Sequence, residues 1–356
     1  MKIFQLLDNP YSQKVNPYLS TLMDEISVHH KDVEWLYGFD NFWSEKIMSY
    51  DILHIHCPDT IINKNSPADI VEKFSCRLEQ LKDAGMKIIV TCHNLEPHYS
   101  TDIRKEQLYI KAYQSAHLFI HLGNYSLCLL SQKYPSARHI MIPHHAYDTI
   151  YRSISDKVMC CRKLHLNPKK KYILSFGIFR DEEEKKLVNG VVKEYHHQGV
   201  ELLAPRYVRI DNRRNIIKFI YKWFKCRIDE VKHPGLHIYG KFVTDELLPY
   251  FFGASDITLI QRNKILNSGN LPLGFYMGNV VVGPNVGNVG EILKETNNPT
   301  FEPNDRSSLY IAINEAILQS QDGKGEKNRL YAENHFSTQI VSQQLYDIYN
   351  QILVKK

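Results

Sequence analysis

The sequence predicts an α/β protein made of two doubly wound parallel sheets, one in each half of the chain, facing a central cleft. Three observations predict it. The length, 356 residues, suits two domains at about 100–200 residues each. Short apolar runs alternate with helical patterns from end to end, the order that builds a parallel sheet with helices on both faces. The run Lys87-Ile-Ile-Val-Thr91 has no polar alternation, which is what a strand buried on both faces requires.

In the first half, strands are expected over 2–7, 51–56, 87–91, 118–121 and 139–142, with helices over 18–27, 67–84 and 103–116. Each strand ends in polar or turn residues: Asp8-Asn9-Pro10, Cys57-Pro58-Asp59, Cys92-His93-Asn94, Gly123-Asn124 and Pro143-His144-His145. In an open α/β sheet such carboxyl ends line the ligand crevice. The segment 148–171 is polar and basic without a sustained period, and marks the domain boundary. A second series of strands follows over 172–176, 200–203, 236–239, 256–260 and 279–283. Val341, Leu345, Ile348 and Ile352 form the stripe of a terminal amphipathic helix. The expected divisions are 1–155, 170–336 and the helix 337–356.

Several classes are excluded. No apolar run approaches the ~20 residues of a membrane-spanning helix, and the apolar stretch 3–7 is too short for a signal-peptide core. The seven cysteines include no C-x-x-C pair, and Cys160 and Cys161 are adjacent. This fits free thiols in a reducing cytoplasm better than zinc or a disulfide framework. No two aspartates are spaced D-x-D and no chelating constellation assembles, so neither a metal nor a cofactor is expected.

Four stretches could carry chemistry. In 266–283, Ser268 reads as a helix N-cap and Gly269 as a point of close ligand approach, with free N–H groups that favour phosphate; a capped helix without ligand is the alternative. Gly177-Ile-Phe-Arg180 ends a strand, and Arg180 and Lys185 could neutralise a diphosphate, although Asp181-Glu182-Glu183-Glu184 between them also reads as a solvated charge run. His93, Asn94, Glu96 and His98 follow one strand of the first half, and His144-His145 follow another. Gly235–Lys241 imitates a phosphate-binding loop, but Phe242 stands where Ser or Thr must bind magnesium, so ATPase chemistry is rejected.

Taken in order, these pieces resemble a GT-B glycosyltransferase, and within that fold a family 4 subgroup acting in polysaccharide assembly. Thr91-Cys-His-Asn-Leu-Glu-Pro-His98 resembles its T-x-H-N-L-x-P-H stretch, and Phe176-Gly-Ile-Phe-Arg180 its phosphate turn. Ala254-Ser-Asp256, Asn267-Ser-Gly269, Gly278-Asn-Val-Val-Val282 and Gly287-Asn-Val-Gly-Glu291 follow at matching intervals. The Glu-x7-Glu pair usual in the family falls instead at Ile265 and Leu273. The resemblance implies two Rossmann-like domains. The C-terminal one would bind the nucleotide-sugar donor, through Gly177, Arg180, Lys185, Ser268, Gly269 and Glu291. The N-terminal one would bind the acceptor, with His93 near the transferring sugar and Asn94, His144 and His145 on the acceptor side. The terminal helix would pack back towards the N-terminal domain. If transfer inverts, Asp8 or Glu96 is the expected general base.

The charge is not spread evenly. The chain carries 44 Lys and Arg against 39 Asp and Glu, a net +5. Residues 205–227 hold eight cations and one acid, so the remainder is slightly acidic. Ile216, Ile217, Ile220, Trp223 and Phe224 share one side at helical spacing. A cationic amphipathic helix with Trp fits an anionic membrane surface; a domain helix with its apolar stripe in the core and its cations in water fits slightly better. No groove-reading or single-strand motif accompanies the charge, so nucleic acid is not an expected partner. The expected activity is metal-independent transfer of a hexose-type sugar to a polyprenyl-diphosphate-linked or growing saccharide, in surface polysaccharide synthesis on the inner face of the membrane. The alternatives are a sugar-nucleotide epimerase and an inactive saccharide- or membrane-binding homologue.

Overall fold

The computed structural model describes residues 1–12, 16–63, 65–97, 101–208, 216–239 and 243–354. His98, residues 209–215 within the basic segment, and Gly240, Lys241 and Phe242 of the loop weighed above lie outside them. The chain divides into two compact units, Met1–His144 with Thr338–Lys356, and His145–Ser337. Residues 145–170 thus go with the second unit.

The first unit is a six-stranded sheet of β1 (Lys2–Leu6), β2 (Glu34–Tyr37), β3 (Ile52–Ile55), β4 (Lys87–Cys92), β5 (Leu118–His121) and β6 (Arg138–Met141). The strand order is β2-β1-β3-β4-β5-β6, with every pairing parallel. Register follows apolar matching: Ile3 sits opposite Ile52, Leu53 opposite Ile88, and Ile89 opposite Leu118. Strand β2 was not expected from sequence. It is a short edge strand, Glu34-Trp35-Leu36-Tyr37, with no fully buried residue.

The terminal helix Thr338–Val354 belongs to this unit. Val341, Leu345, Ile348, Tyr349 and Ile352 pack against Ile3, Leu22, Ile26, Ile52, Ile89 and Leu118. At roughly 1.5–3 kcal/mol for each buried large apolar side chain, the helix is part of the core.

The second unit is a six-stranded sheet of β7 (Lys171–Leu174), β8 (Val200–Leu203), β9 (Leu236–His237), β10 (Ile257–Leu259), β11 (Val280–Pro284) and β12 (Thr300–Phe301). Its order, β12-β11-β10-β7-β8-β9, is the dinucleotide-fold order in which strand sequence reverses beside the first strand. Strand β12 also escaped the sequence reading, being two residues long. Asp256 shows why β7 and β10 lie side by side. Its carboxylate takes Lys157 Nζ at 2.6 and 2.8 Å and the Tyr172 backbone N–H at 3.0 Å, tying the helix Lys157–Lys163 to the start of β7.

Candidate functional site

In the first unit, β1 pairs with β2 on one side and β3 on the other, so the strand order reverses there and a ligand crevice opens at the carboxyl ends of β1 and β3. A chain of polar side chains, buried except for the partly exposed His93, occupies this point. His93 Nε2 lies 3.0 Å from His56 Nδ1, and His56 Nε2 lies 3.1 Å from Gln5 Oε1. Gln5 Nε2 donates to Tyr349 Oη at 3.3 Å, Tyr349 Oη lies 2.7 Å from His54 Nδ1, and His54 Nε2 lies 2.7 Å from Thr91 Oγ1.

The chain determines its own hydrogens. With the Gln5 amide oriented this way, Oε1 only accepts, so His56 Nε2 carries the hydrogen and His56 Nδ1 is bare. His93 Nε2–H must then donate to His56, and His93 Nδ1 is left as an acceptor. Burial, with the His56 and His144 rings beside it, holds His93 well below the usual imidazole range. Burial likewise lowers His56, and takes His54 down to about 3. All three rings are therefore neutral near pH 7. Tyr18, at the start of the helix Tyr18–His29, packs its ring against His93 at 5.0 Å and His144 at 4.5 Å between centroids.

Among the other acceptor-side expectations, Asn94 is partly buried, and its backbone carbonyl accepts from Tyr113 Oη at 2.6 Å. That bond pins the loop after β4 to the helix Ile103–Ser115. Asp8 and Glu96 are solvent-exposed at the ends of β1 and of that loop. His144 joins the Tyr18 group, whereas its neighbour His145 is fully buried in the second unit. There His145 Nδ1 accepts from the Tyr147 backbone N–H at 3.1 Å, supporting a turn in which Tyr147 has a φ of +59°. Gln5, Tyr18, His54, His56, Thr91 and Tyr349 were not singled out from sequence. A glutamine inside an otherwise apolar strand was the signal available.

In the second unit the reversal lies between β7 and β10, which pair through Ile173–Ile257 and Leu174–Thr258. Ser175-Phe176-Gly177 leaves β7 at this point, and Gln261-Arg262 leaves β10. Ser175 Oγ donates to Gln261 Oε1 at 3.0 Å, and Arg262 Nη2 donates to the Ile178 carbonyl at 3.2 Å. A Cβ on Gly177 would stand 2.8 Å from Gln261 Nε2, so a side chain there would have to displace the Gln261 amide. Arg206, beyond the end of β8, stacks its guanidinium over the Phe176 ring at 4.3 Å. Two arginines that the sequence reading did not place here, Arg206 and Arg262, thus converge on the Phe176–Gly177 turn. Arg206 lies within the basic segment 205–227.

The expected pair behaves differently. Arg180 is exposed, and its backbone N–H donates to Glu184 Oε2 at 3.1 Å. Lys185 Nζ lies 2.6 Å from Glu182 Oε1 on its own helix, an internal pairing that offsets its charge. Glu184 is buried, and burial raises its pKa against the opposing effect of Arg180 and Arg262.

The reading of Ser268 as an N-cap is corrected. Gly269 holds the cap position of the short helix Asn270–Tyr276, with no side-chain cap bond. Asn270 Nδ2 reaches the Phe176 carbonyl at 3.4 Å, which brings this helix start to the β7 end. Glu291 lies partly buried in the helix Gly287–Glu295. Gly287 has a φ of +58°, and a Cβ there would stand 2.7 Å from the Ile265 carbonyl. Gly287 is explained by this packing on Ile265 and Leu266, reinforced by Asn288 Nδ2 donating to Asn267 Oδ1 at 2.7 Å. Ile265 and Leu273, at the positions of the family's Glu pair, join apolar packing, with Leu273 buried.

The basic segment yields the helix Ile216–Lys232. Cys226 is its buried contact, at 1% exposure, while Ile220 (46%), Trp223 (38%), Phe224 (55%), Ile228 (51%) and Val231 (80%) face solvent. Among described residues the apolar stripe does not enter the core. Likewise among described residues, no three His, Cys, Asp or Glu side chains are grouped to hold a metal ion, and no helix is long and apolar enough to cross a membrane.

No protein-family profile matches the chain, and neither does any curated protein sequence. Solved structures do match. Sucrose-phosphate synthase from Thermosynechococcus elongatus is 13% identical with a TM-score of 0.74, covering 100% of both chains. Anabaena HepE in complex with UDP is 12% identical with a TM-score of 0.69, over 99% of this chain and 100% of that one. A UDP-N-acetylglucosamine 2-epimerase from Listeria monocytogenes, itself so named only provisionally, is 12% identical with a TM-score of 0.61, over 100% of this chain and 97% of that one. The chain has the GT-B fold of the glycosyltransferases among these structures.

Proposed function

We propose that the protein is a glycosyltransferase whose second unit binds a nucleotide-sugar donor and whose first unit binds a saccharide acceptor. The observation that carries this reading is the convergence of Arg206, Arg262, Gly177 and the Asn270 helix start at the strand-order reversal of the second sheet. Fixed cations beside a glycine turn suit a diphosphate, and they stabilise the charge that grows on it as the sugar departs. That charge supply supports transfer without a metal. HepE, of the same fold, has been solved with UDP, with UDP-glucose, and with UDP and glucose.

In the first unit His93 is the proposed catalytic-side group. Neutral, and held by His56, it can orient a sugar hydroxyl through its Nδ1 acceptor without adding a positive charge beside the departing diphosphate. The finer reading is transfer to a lipid-linked or growing saccharide in surface polysaccharide synthesis, within the family 4 subgroup and at the cytoplasmic face of a membrane. The sequence motifs around His93 and Arg180 support it.

Calorimetric titration of UDP, GDP and ADP is the test. Binding of one of them, weakened by Arg206→Ala or Arg262→Ala, is expected. Absence of affinity for all three overturns the reading in favour of a binding homologue. The likeness to the epimerase supports a second reading, isomerisation of the nucleotide sugar itself. It is separated by product analysis with donor alone, which yields an epimer only if that reading holds.

A further inference from the structure

We propose that the outward face of the helix Ile216–Lys232 docks onto an anionic lipid bilayer. The helix, ~26 Å long at 1.5 Å per residue, is attached to its unit along one side. Cys226 is buried there, and Glu230 Oε1 accepts from the Ile238 backbone N–H at 2.8 Å. At 3.6 residues per turn, Ile220, Val231, Phe224 and Ile228 fall on the arc opposite Cys226 and Trp223 on its flank, and all five are exposed. The fold holds this helix without using its apolar face, so that face is available to something else.

The charges decide what. The helix carries five cations, Lys218, Lys222, Lys225, Arg227 and Lys232, against Asp229 and Glu230. Both acids lie partly buried towards the attached side, whereas Lys225, Arg227 and Lys232 are exposed. Arg227 stands 5.5 Å from the Trp223 ring centroid and pairs with Glu230 Oε2 at 2.5 Å, so its charge is offset on the helix itself, and Lys225 and Lys232 supply the cations along the edge of the apolar arc. A second copy of this helix would set the same cations against themselves in a two-fold contact. Acidic headgroups complement them, while the acyl boundary takes Trp223, Phe224 and the aliphatic chains; an interfacial helix buries such a face by about 5–10 Å. The inference rests on the second unit's surface alone and stands whether or not the protein transfers sugar.

Flotation of the full chain tests it, with vesicles of phosphatidylcholine alone or with about one-third phosphatidylglycerol. The protein is expected to float only with the anionic vesicles, with a blue shift in tryptophan emission. Trp223→Ser with Phe224→Ser, and separately Lys225→Glu with Lys232→Glu, should each weaken partitioning about tenfold or more. All four positions are exposed, so unchanged melting temperatures establish that the variants fold. Three outcomes overturn the proposal: no flotation at low salt, variants that float like the parent, or a concentration-dependent dimer that the same substitutions abolish.

Discussion

His93 Nε2 and His56 Nδ1 stand 3.0 Å apart, and that contact carries the hydrogen placement of the β1–β3 crevice outward to its edge. Gln5 sets His56, and His56 sets His93. The chain passes through Tyr349 on the terminal helix to His54 and Thr91, so residues distant in sequence share one proton arrangement.

Replacing His56 should therefore act through His93. His56→Phe removes the acceptor and frees His93 to exchange tautomers. A fall in turnover of about tenfold or more is expected, with the donor KM little changed because the donor contacts lie in the second unit. His56→Asn, which keeps an acceptor, should recover part of it. Nitrogen chemical shifts of His93 provide a readout that simple loosening would not produce: one tautomer in the parent, a mixture in His56→Phe. A single unchanged tautomer in that variant would contradict the assignment.

Acid should destabilise the first unit early. His54 and His56 are neutral in the fold, with His54 at about 3, while in the unfolded chain each protonates near pH 6.5. Below that value the unfolded state binds more protons, so stability falls as pH drops from about 6.5 towards the folded pKa values. The slope approaches roughly 1.4 kcal/mol per pH unit for each histidine. Melting temperatures should hold from pH 8 to about 7 and then decline, and His54→Gln should flatten the decline.

Lys185 and Arg262 should separate on nucleotide binding. Lys185 is paired with Glu182 on its own helix, so Lys185→Ala should change UDP affinity by less than about twofold. Arg262→Ala should cost about tenfold or more, near 1.4 kcal/mol. Because Arg262 also faces Glu184 at 3.4 Å, Arg262→Ala with Glu184→Gln controls for a buried carboxylate left without its cation. Equal affinities for the Lys185 and Arg262 variants would remove Arg262 from the donor site.

Gly325 should tolerate no side chain. A Cβ there would overlap the Gly278 carbonyl, where the helix Lys324–His335 crosses the end of the helix Asn270–Tyr276. Gly325→Ala should destabilise by about 1–3 kcal/mol or more. At Gly323, whose φ of +75° opens into free space, alanine should cost only the backbone penalty, about 1 kcal/mol. Thermal denaturation of the two variants gives the comparison.

Much of the architecture was legible because local signals carry it. Apolar runs bounded by turn residues mark ten of the twelve strands among the described residues. The two missed strands, β2 and β12, are short, and β2 has no buried run to betray it. Of the site, His93 and the Gly177 turn were visible because strand ends announce them. Ser268 was misread as a cap because residue type favours that role, while its position in the chain is one step early.

What the sequence by itself determined is the alternation of strand and helix, the two-domain scale and the existence of one cationic amphipathic stretch. All of these depend on residues close together in the chain. Tertiary structure alone decided which polar side chains meet. Gln5 lies in β1, His56 and His93 just past the ends of β3 and β4, Tyr349 on a terminal helix, and Arg206 and Arg262 in loops on either side of β7. It also decided that the apolar face of the helix Ile216–Lys232 looks outward. Periodicity reports that a helix has an apolar face; only the packing of its neighbours determines whether that face is covered.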